Sequence, residues 1–122
     1  MGLFDLFKKD SKKKIYTAQE IVKMAQVHEP QSIYYPDGHH LVPEVEQAVN
    51  TIMPLYDGIS NLATMLMLND PSEMQKKIKN ADVDTLLIFF KFLAIKASEI
   101  TNNQPIGYVQ NFIISTLQEK LS

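Results

Sequence analysis

The chain has 122 residues, 45% of them hydrophobic, and its 12 lysines and 14 acidic residues give a net charge of −2. That length supports one domain with its own hydrophobic core and leaves no room for a second domain of ordinary size. Cysteine and arginine are both absent, which excludes disulfides and thiolate nucleophiles and removes the bidentate side chain that reads guanine, so sequence-specific nucleic-acid binding is not expected.

Composition also indicates a source and a location. Abundant lysine, isoleucine and asparagine without arginine favour an AT-rich genome, and hence a bacterial or phage protein. The chain places its first lysines after its first apolar residues, the reverse of the order in a secretory signal. We therefore expect a cytoplasmic protein without a membrane-spanning segment, able to lie peripherally at the inner face of the membrane.

Residues 1–14 form a basic amphipathic segment, in which four large apolar side chains precede five lysines. On a helix the apolar residues cover one broad face, the arrangement of a segment that lies on a membrane surface or docks to a partner. The predicted docking residues are Leu3, Phe4, Leu6, Phe7, Lys8, Lys9, Lys12, Lys13 and Lys14.

The opening octapeptide Gly-Leu-Phe-Asp-Leu-Phe-Lys-Lys resembles the starts of amphibian skin membrane-active peptides of the aurein and citropin type. The resemblance covers eight residues and implies shared physics, adsorption to a membrane surface, and not shared ancestry. The alternative is that these apolar side chains pack on the protein's own surface and the lysines form a solvated linker.

The first predicted helix covers residues 17–29. Thr17 and Glu20 match the capping box, in which two side chains satisfy free backbone N–H groups at a helix start. Ile21, Met24, Ala25 and His28 share one face of this helix, and Pro30 ends it.

A short β-hairpin insertion is predicted near residues 32–42, because two β-favouring runs flank Pro36-Asp37-Gly38, a turn sequence. Its aromatic and polar cluster predicts a partner-binding surface formed by Tyr34, Tyr35, Asp37, His39 and His40. Three imidazoles, those of His28, His39 and His40, are also candidate metal ligands. Adjacent His39 and His40 would point to opposite faces of a strand, which argues against both binding one ion.

The remaining helices are predicted from apolar spacing and capping signals over residues 44–69, 71–79, 82–101 and 106–121. Pro54 makes either a kink or a break in the first of these, and the continuing apolar stripe favours a kink. Residues 15–122 are thus expected to form a single all-α domain, a small antiparallel helical bundle of four to five helices with the hairpin inserted.

The helix predicted over 82–101 is apolar nearly all round, as expected for the centre of a bundle. Its main polar interruptions, Asp84, Lys91 and Ser98, are seven residues apart. This spacing predicts one narrow stripe of the helix that faces water.

Charge is segregated along the chain. Residues 1–14 carry a net charge of +3, residues 15–75 carry −7, and residues 76–122 carry +2. The lysines at the start could therefore bind an anionic membrane, a partner, or the acidic region of the same or a second copy.

These patterns predict a non-catalytic helical interaction or adaptor protein whose first 14 residues dock to a membrane surface or a protein partner, with homo-oligomerisation as one form of docking. No catalytic sequence motif is present, and no cofactor is expected. The alternative, from another class, is a small metal-dependent enzyme that uses His28, Asp37, His39 and His40.

Overall fold

A computed structural model describes residues 15–38, 40–54, 56, 62–68, 71–99 and 104–122. The all-α prediction is confirmed, with six helices in the described part of the chain instead of four to five. The helices are α1 Ala18–Val27, α2 Pro43–Ile52, α3 Leu62–Leu68, α4 Pro71–Asn80, α5 Val83–Glu99 and α6 Gln104–Leu121.

Helix α1 begins as its sequence predicts. The Thr17 side chain accepts a hydrogen bond from Glu20 N at 3.1 Å, and Glu20 Oε1 accepts one from Thr17 N at 2.8 Å. Ile21 and Ala25 are fully buried on the inward face. The helix ends at Val27, and His28 has an extended backbone.

The prediction of a single long, kinked helix over 44–69 is wrong. The chain forms two separate helices there, α2 and α3. Met53 has φ −127° and ψ 70°, which lie outside the helical region. The following Pro54 causes this, because a proline sterically disfavours helical angles at the residue before it. Pro54 also has no N–H to donate to Asn50. An apolar stripe in phase across a proline therefore did not imply one continuous helix.

The predicted β-hairpin is not present as two strands in the described residues. One isolated antiparallel bridge joins Tyr34 and Leu41, and Val42 N donates to Ile33 O at 2.9 Å. The turn itself matches its sequence, since Gly38 has a positive φ of 74°. The paired region is short because Pro43, just after the bridge, already begins α2.

Helices α4 to α6 lie close to their predicted positions. Met74 and Ile78 of α4 are buried as expected. Asp82 Oδ1 accepts a hydrogen bond from Thr85 N at 2.8 Å and so caps α5. Helix α6 begins two residues earlier than predicted, with Pro105 inside its first turn, where a missing N–H costs no intrahelical bond.

Helix α5 lies at the centre of the core and contacts α1, α2 and α6. Its side chains Leu86, Phe89, Phe92 and Leu93 are fully buried. The rings of Phe89 and Phe92 stack with centroids 6.0 Å apart, and Tyr56 meets Phe92 edge-on at 6.1 Å. Among the helices that the structure describes, none is both long enough and apolar enough to cross a membrane.

The prediction of a water-facing stripe on α5 is wrong at its middle position. Lys91 is only 7% exposed, although Asp84 and Ser98 at either end of the stripe are exposed. The spacing identified the polar side of α5 correctly, but at Lys91 that side is covered by another part of the chain.

Gly107 provides a test of the helical assignment of α6. A Cβ added at this position meets no atom within 4 Å, so Gly107→Ala should raise the free energy of unfolding by about 0.5–1 kcal/mol by removing backbone entropy from the unfolded state. Urea denaturation monitored by circular dichroism measures this change. Gly38→Ala is the matched control, and it should destabilise by about 1 kcal/mol because its φ of 74° is unfavourable for alanine. Destabilisation by Gly107→Ala would contradict the helical assignment of α6, and stabilisation by Gly38→Ala would contradict the positive φ at Gly38.

Candidate functional site

The predicted docking residues of the first 14 positions lie outside the described residues, as does His39. The structure does place the rest of the predicted partner-binding loop, namely Tyr34, Tyr35, Asp37 and His40.

Tyr34 is held against α5 and is only partly exposed. Its hydroxyl donates to Glu99 Oε1 at 3.4 Å, and Lys96 Nζ lies 5.3 Å from the centre of its ring. Lys96 and Glu99 also form an ion pair at 3.6 Å. Tyr34 therefore fixes the loop to the central helix, and its ring packs against Lys96 of the same chain instead of facing a partner.

The outward part of the loop consists of Tyr35, Asp37 and His40, all of them exposed. His40 Nδ1 lies 2.5 Å from Asp37 Oδ2, and His40 N donates to Asp37 Oδ1 at 3.1 Å. These contacts close the turn around Gly38. The Asp37 carboxylate is thus occupied in shaping the turn, which leaves Tyr35 and His40 as its outward-facing surface.

The two described candidate metal ligands, His28 and His40, contact different carboxylates. His28 Nε2 lies 3.1 Å from Asp84 Oδ1, and His28 Nδ1 lies 2.6 Å from Glu29 O. His40 contacts a different carboxylate, that of Asp37. Within the described ranges, no three histidine or acidic side chains form a group that could hold a metal ion.

The segment from His28 to Tyr34 follows α5 along most of its length. His28 meets Asp84 near the start of α5, and Tyr34 meets Lys96 and Glu99 near its end. Between these two contacts, Lys91 of α5 donates to the carbonyls of His28 and Pro30. We call residues 28–34 the strap.

Lys91 lies under the strap and is the functional candidate that sequence analysis missed. Its Nζ donates to the backbone carbonyls of His28 and, at 2.8 Å, of Pro30. Burial lowers the pKa of Lys91 below its ordinary value of 10.5, and the nearby negative charge of Glu29 acts in the opposite direction. The available signal was a lysine inside the most apolar run of the chain, Leu86 to Ile95.

Beside Lys91 a cleft of about 320 Å³ separates α1 from α5. Its apolar walls include Val22, Ala25 and Ile95, and its polar lining includes Gln26 and Gln31 in addition to Lys91. A mostly apolar cleft with a few polar groups is the usual composition of a small-molecule site.

A second, larger groove of about 580 Å³ lies between α4 and α6. Met74 and Ile78 line it from α4, and Val109 and Phe112 line it from α6. Tyr108 also lines it and is 69% exposed.

Searches against protein-family models, curated proteins and solved structures found no match to this chain. Its site is therefore interpreted from its own residues.

The lowered pKa of Lys91 predicts a pH dependence of stability. Between the lowered pKa and 10.5 the unfolded chain holds more protons at this site than the folded chain, so the contribution of Lys91 to the free energy of unfolding increases as pH rises through that window. Lys91→Met removes this contribution. The stability of the wild type relative to Lys91→Met should therefore increase as the pH is raised towards 10.5.

Urea denaturation at a series of pH values from neutral to 10.5 measures that difference. Lys23→Met removes one exposed lysine of α1 and is the matched control for the loss of a positive charge. A difference between the wild type and Lys91→Met that stays constant or falls with pH would contradict the assignment of a desolvated ammonium at this position.

Proposed function

We propose that this chain is a non-catalytic helical interaction protein of bacterial or phage origin, whose residues 1–14 dock it to an anionic membrane surface at the inner face of the membrane. The observation that carries the proposal is the order of residues in that segment, four large apolar side chains followed by five lysines. The alternatives are that residues 1–14 dock to a protein partner or to a second copy of the chain, and the experiments distinguish these from docking to a membrane.

The energies favour weak and reversible docking. Burial of one large apolar side chain contributes roughly 1.5–3 kcal/mol, and each lysine near an anionic leaflet contributes about 1 kcal/mol. Ordering of the segment subtracts from this sum. The electrostatic part is screened by salt, so docking of this kind depends on ionic strength.

The junction between this segment and the domain supports the proposal. Gln118 Nε2 of α6 donates to Tyr16 O at 2.7 Å, which fixes the chain at Tyr16. The preceding residue, Ile15, is 76% exposed. The point at which the described chain meets residues 1–14 therefore lies at the surface of the domain.

The charge distribution supports an orientation as well. Residues 15–75 carry a net charge of −7, and Glu44 and Glu46 are exposed on α2. An anionic surface repels this region while it attracts the lysines at the start of the chain. The acidic region would accordingly face away from the membrane and be available to other molecules.

Co-sedimentation with vesicles that contain phosphatidylserine tests the proposal. Lys8→Gln with Lys9→Gln should weaken binding by about 2 kcal/mol, or roughly 30-fold, because two lysines are lost near the lipid. Lys76→Gln with Lys79→Gln is the matched control, since it removes the same charge from the exposed face of α4. Only the first pair should change binding, and added salt should reduce the binding of the wild type.

Phe4→Ser with Phe7→Ser tests the apolar half of the segment and should also reduce sedimentation. Equal pelleting of these variants and the wild type, or binding that is independent of salt, would refute membrane docking. If the wild type instead self-associates in analytical ultracentrifugation and Phe4→Ser with Phe7→Ser stays monomeric, the occupant is a second copy. If the wild type neither sediments with vesicles nor self-associates, membrane docking is refuted and a protein partner remains as the docking target.

A further inference from the structure

We propose that the cleft between α1 and α5 binds a small amphipathic carboxylate, with the ammonium of Lys91 as the anchor of the carboxylate and the apolar walls holding a short hydrocarbon chain. This binding site is independent of the membrane docking proposed above. It depends on residues of the domain core, and docking depends on residues 1–14.

The first observation is a buried cation whose charge is only partly compensated. Lys91 is 7% exposed, and its Nζ donates to two backbone carbonyls, which carry partial and not full negative charge. Within the described part of the chain, Lys91 forms no ion pair with a carboxylate, and the negative charge of Glu29 acts on it only from beyond ion-pair distance. Burial of a charge is costly unless a counter-charge accompanies it. A ligand carboxylate would supply that counter-charge.

The second observation is a donor that is available to a ligand. An ammonium has three N–H groups, and within the described part of the chain two of them are taken, by the carbonyls of His28 and Pro30. Lys91 itself lines the cleft, beside Gln31 of the strap. The third N–H group can therefore donate to a ligand in the cleft.

The third observation is the shape and polarity of the cleft. Val22, Ala25, Phe90 and Ile95 provide apolar walls, and Gln26 stands at the exposed rim. The volume of about 320 Å³ corresponds to roughly ten non-hydrogen atoms at about 30 Å³ each. A single lysine matches a single negative charge, so a carboxylate with about seven carbons behind it fits better than a phosphate dianion.

Sodium octanoate is the probe, and octan-1-ol is the control ligand because it has the same chain length and no charge. A titration of the wild type followed by two-dimensional NMR should show saturable shifts of cleft residues, with a dissociation constant on the order of millimolar, as expected for a ligand of this size. Octan-1-ol should bind at least tenfold more weakly than octanoate.

Two variants separate the anchor from the walls. Lys91→Met should weaken octanoate binding at least tenfold and leave octan-1-ol binding unchanged, whereas Lys23→Met, on the exposed face of α1 and outside the cleft, should change neither. Ala94→Phe fills the cleft from its exposed rim and leaves Lys91 in place, so it should abolish binding of both ligands.

The proposal is overturned if octanoate gives no saturable binding, if octan-1-ol binds as tightly as octanoate, or if Ala94→Phe leaves octanoate binding intact. Should Lys91→Met fail to fold, the comparison of the two ligands on the wild type and the Ala94→Phe variant still decides the question. The variant Lys8→Gln with Lys9→Gln, which should bind vesicles weakly, should bind octanoate as tightly as the wild type does. The two proposals can therefore be tested separately.

Discussion

The contact between Lys91 and the carbonyls of His28 and Pro30 is the constraint on which the rest of the arrangement depends. Helix α1 ends at Val27, and the chain beyond it presents carbonyls that no helical N–H can satisfy. A lysine from the middle of the most buried helix supplies the missing donors. This contact fixes the strap on α5, beside the cleft between α1 and α5.

The polar residues of α5 are explained by the strap. Asp84 meets His28, and Lys96 and Glu99 meet Tyr34. A helix that is apolar nearly all round can remain at the centre of the core because several of its polar side chains find partners in the strap. The loop that follows α1 therefore covers Lys91 on α5, and its tip, with Tyr35, Asp37 and His40, is exposed.

Local signals predicted the helices well where the signal was a specific backbone contact. The capping box at Thr17 and Glu20 and the turn at Gly38 both have the geometry that their residues indicate. Prediction failed where two local rules competed. The apolar stripe continued through Pro54 and favoured a kink, but the restriction that proline imposes on Met53 decided for a break. The last helix, predicted from residue 106, begins at Gln104, because Pro105 stands in a first turn where proline is tolerated.

The sequence by itself determined the all-α class, the burial of the apolar middle of α5 and the concentration of apolar and basic residues in the first 14 positions, since composition and spacing along one chain carry that information. Only the tertiary structure decided that Lys91 is buried, that His28 and His40 each meet a different carboxylate, and that Tyr34 packs on Lys96. These facts depend on contacts between residues as many as 65 positions apart. Periodicity marks the polar side of a helix, but only the path of another segment decides whether that side meets water or protein.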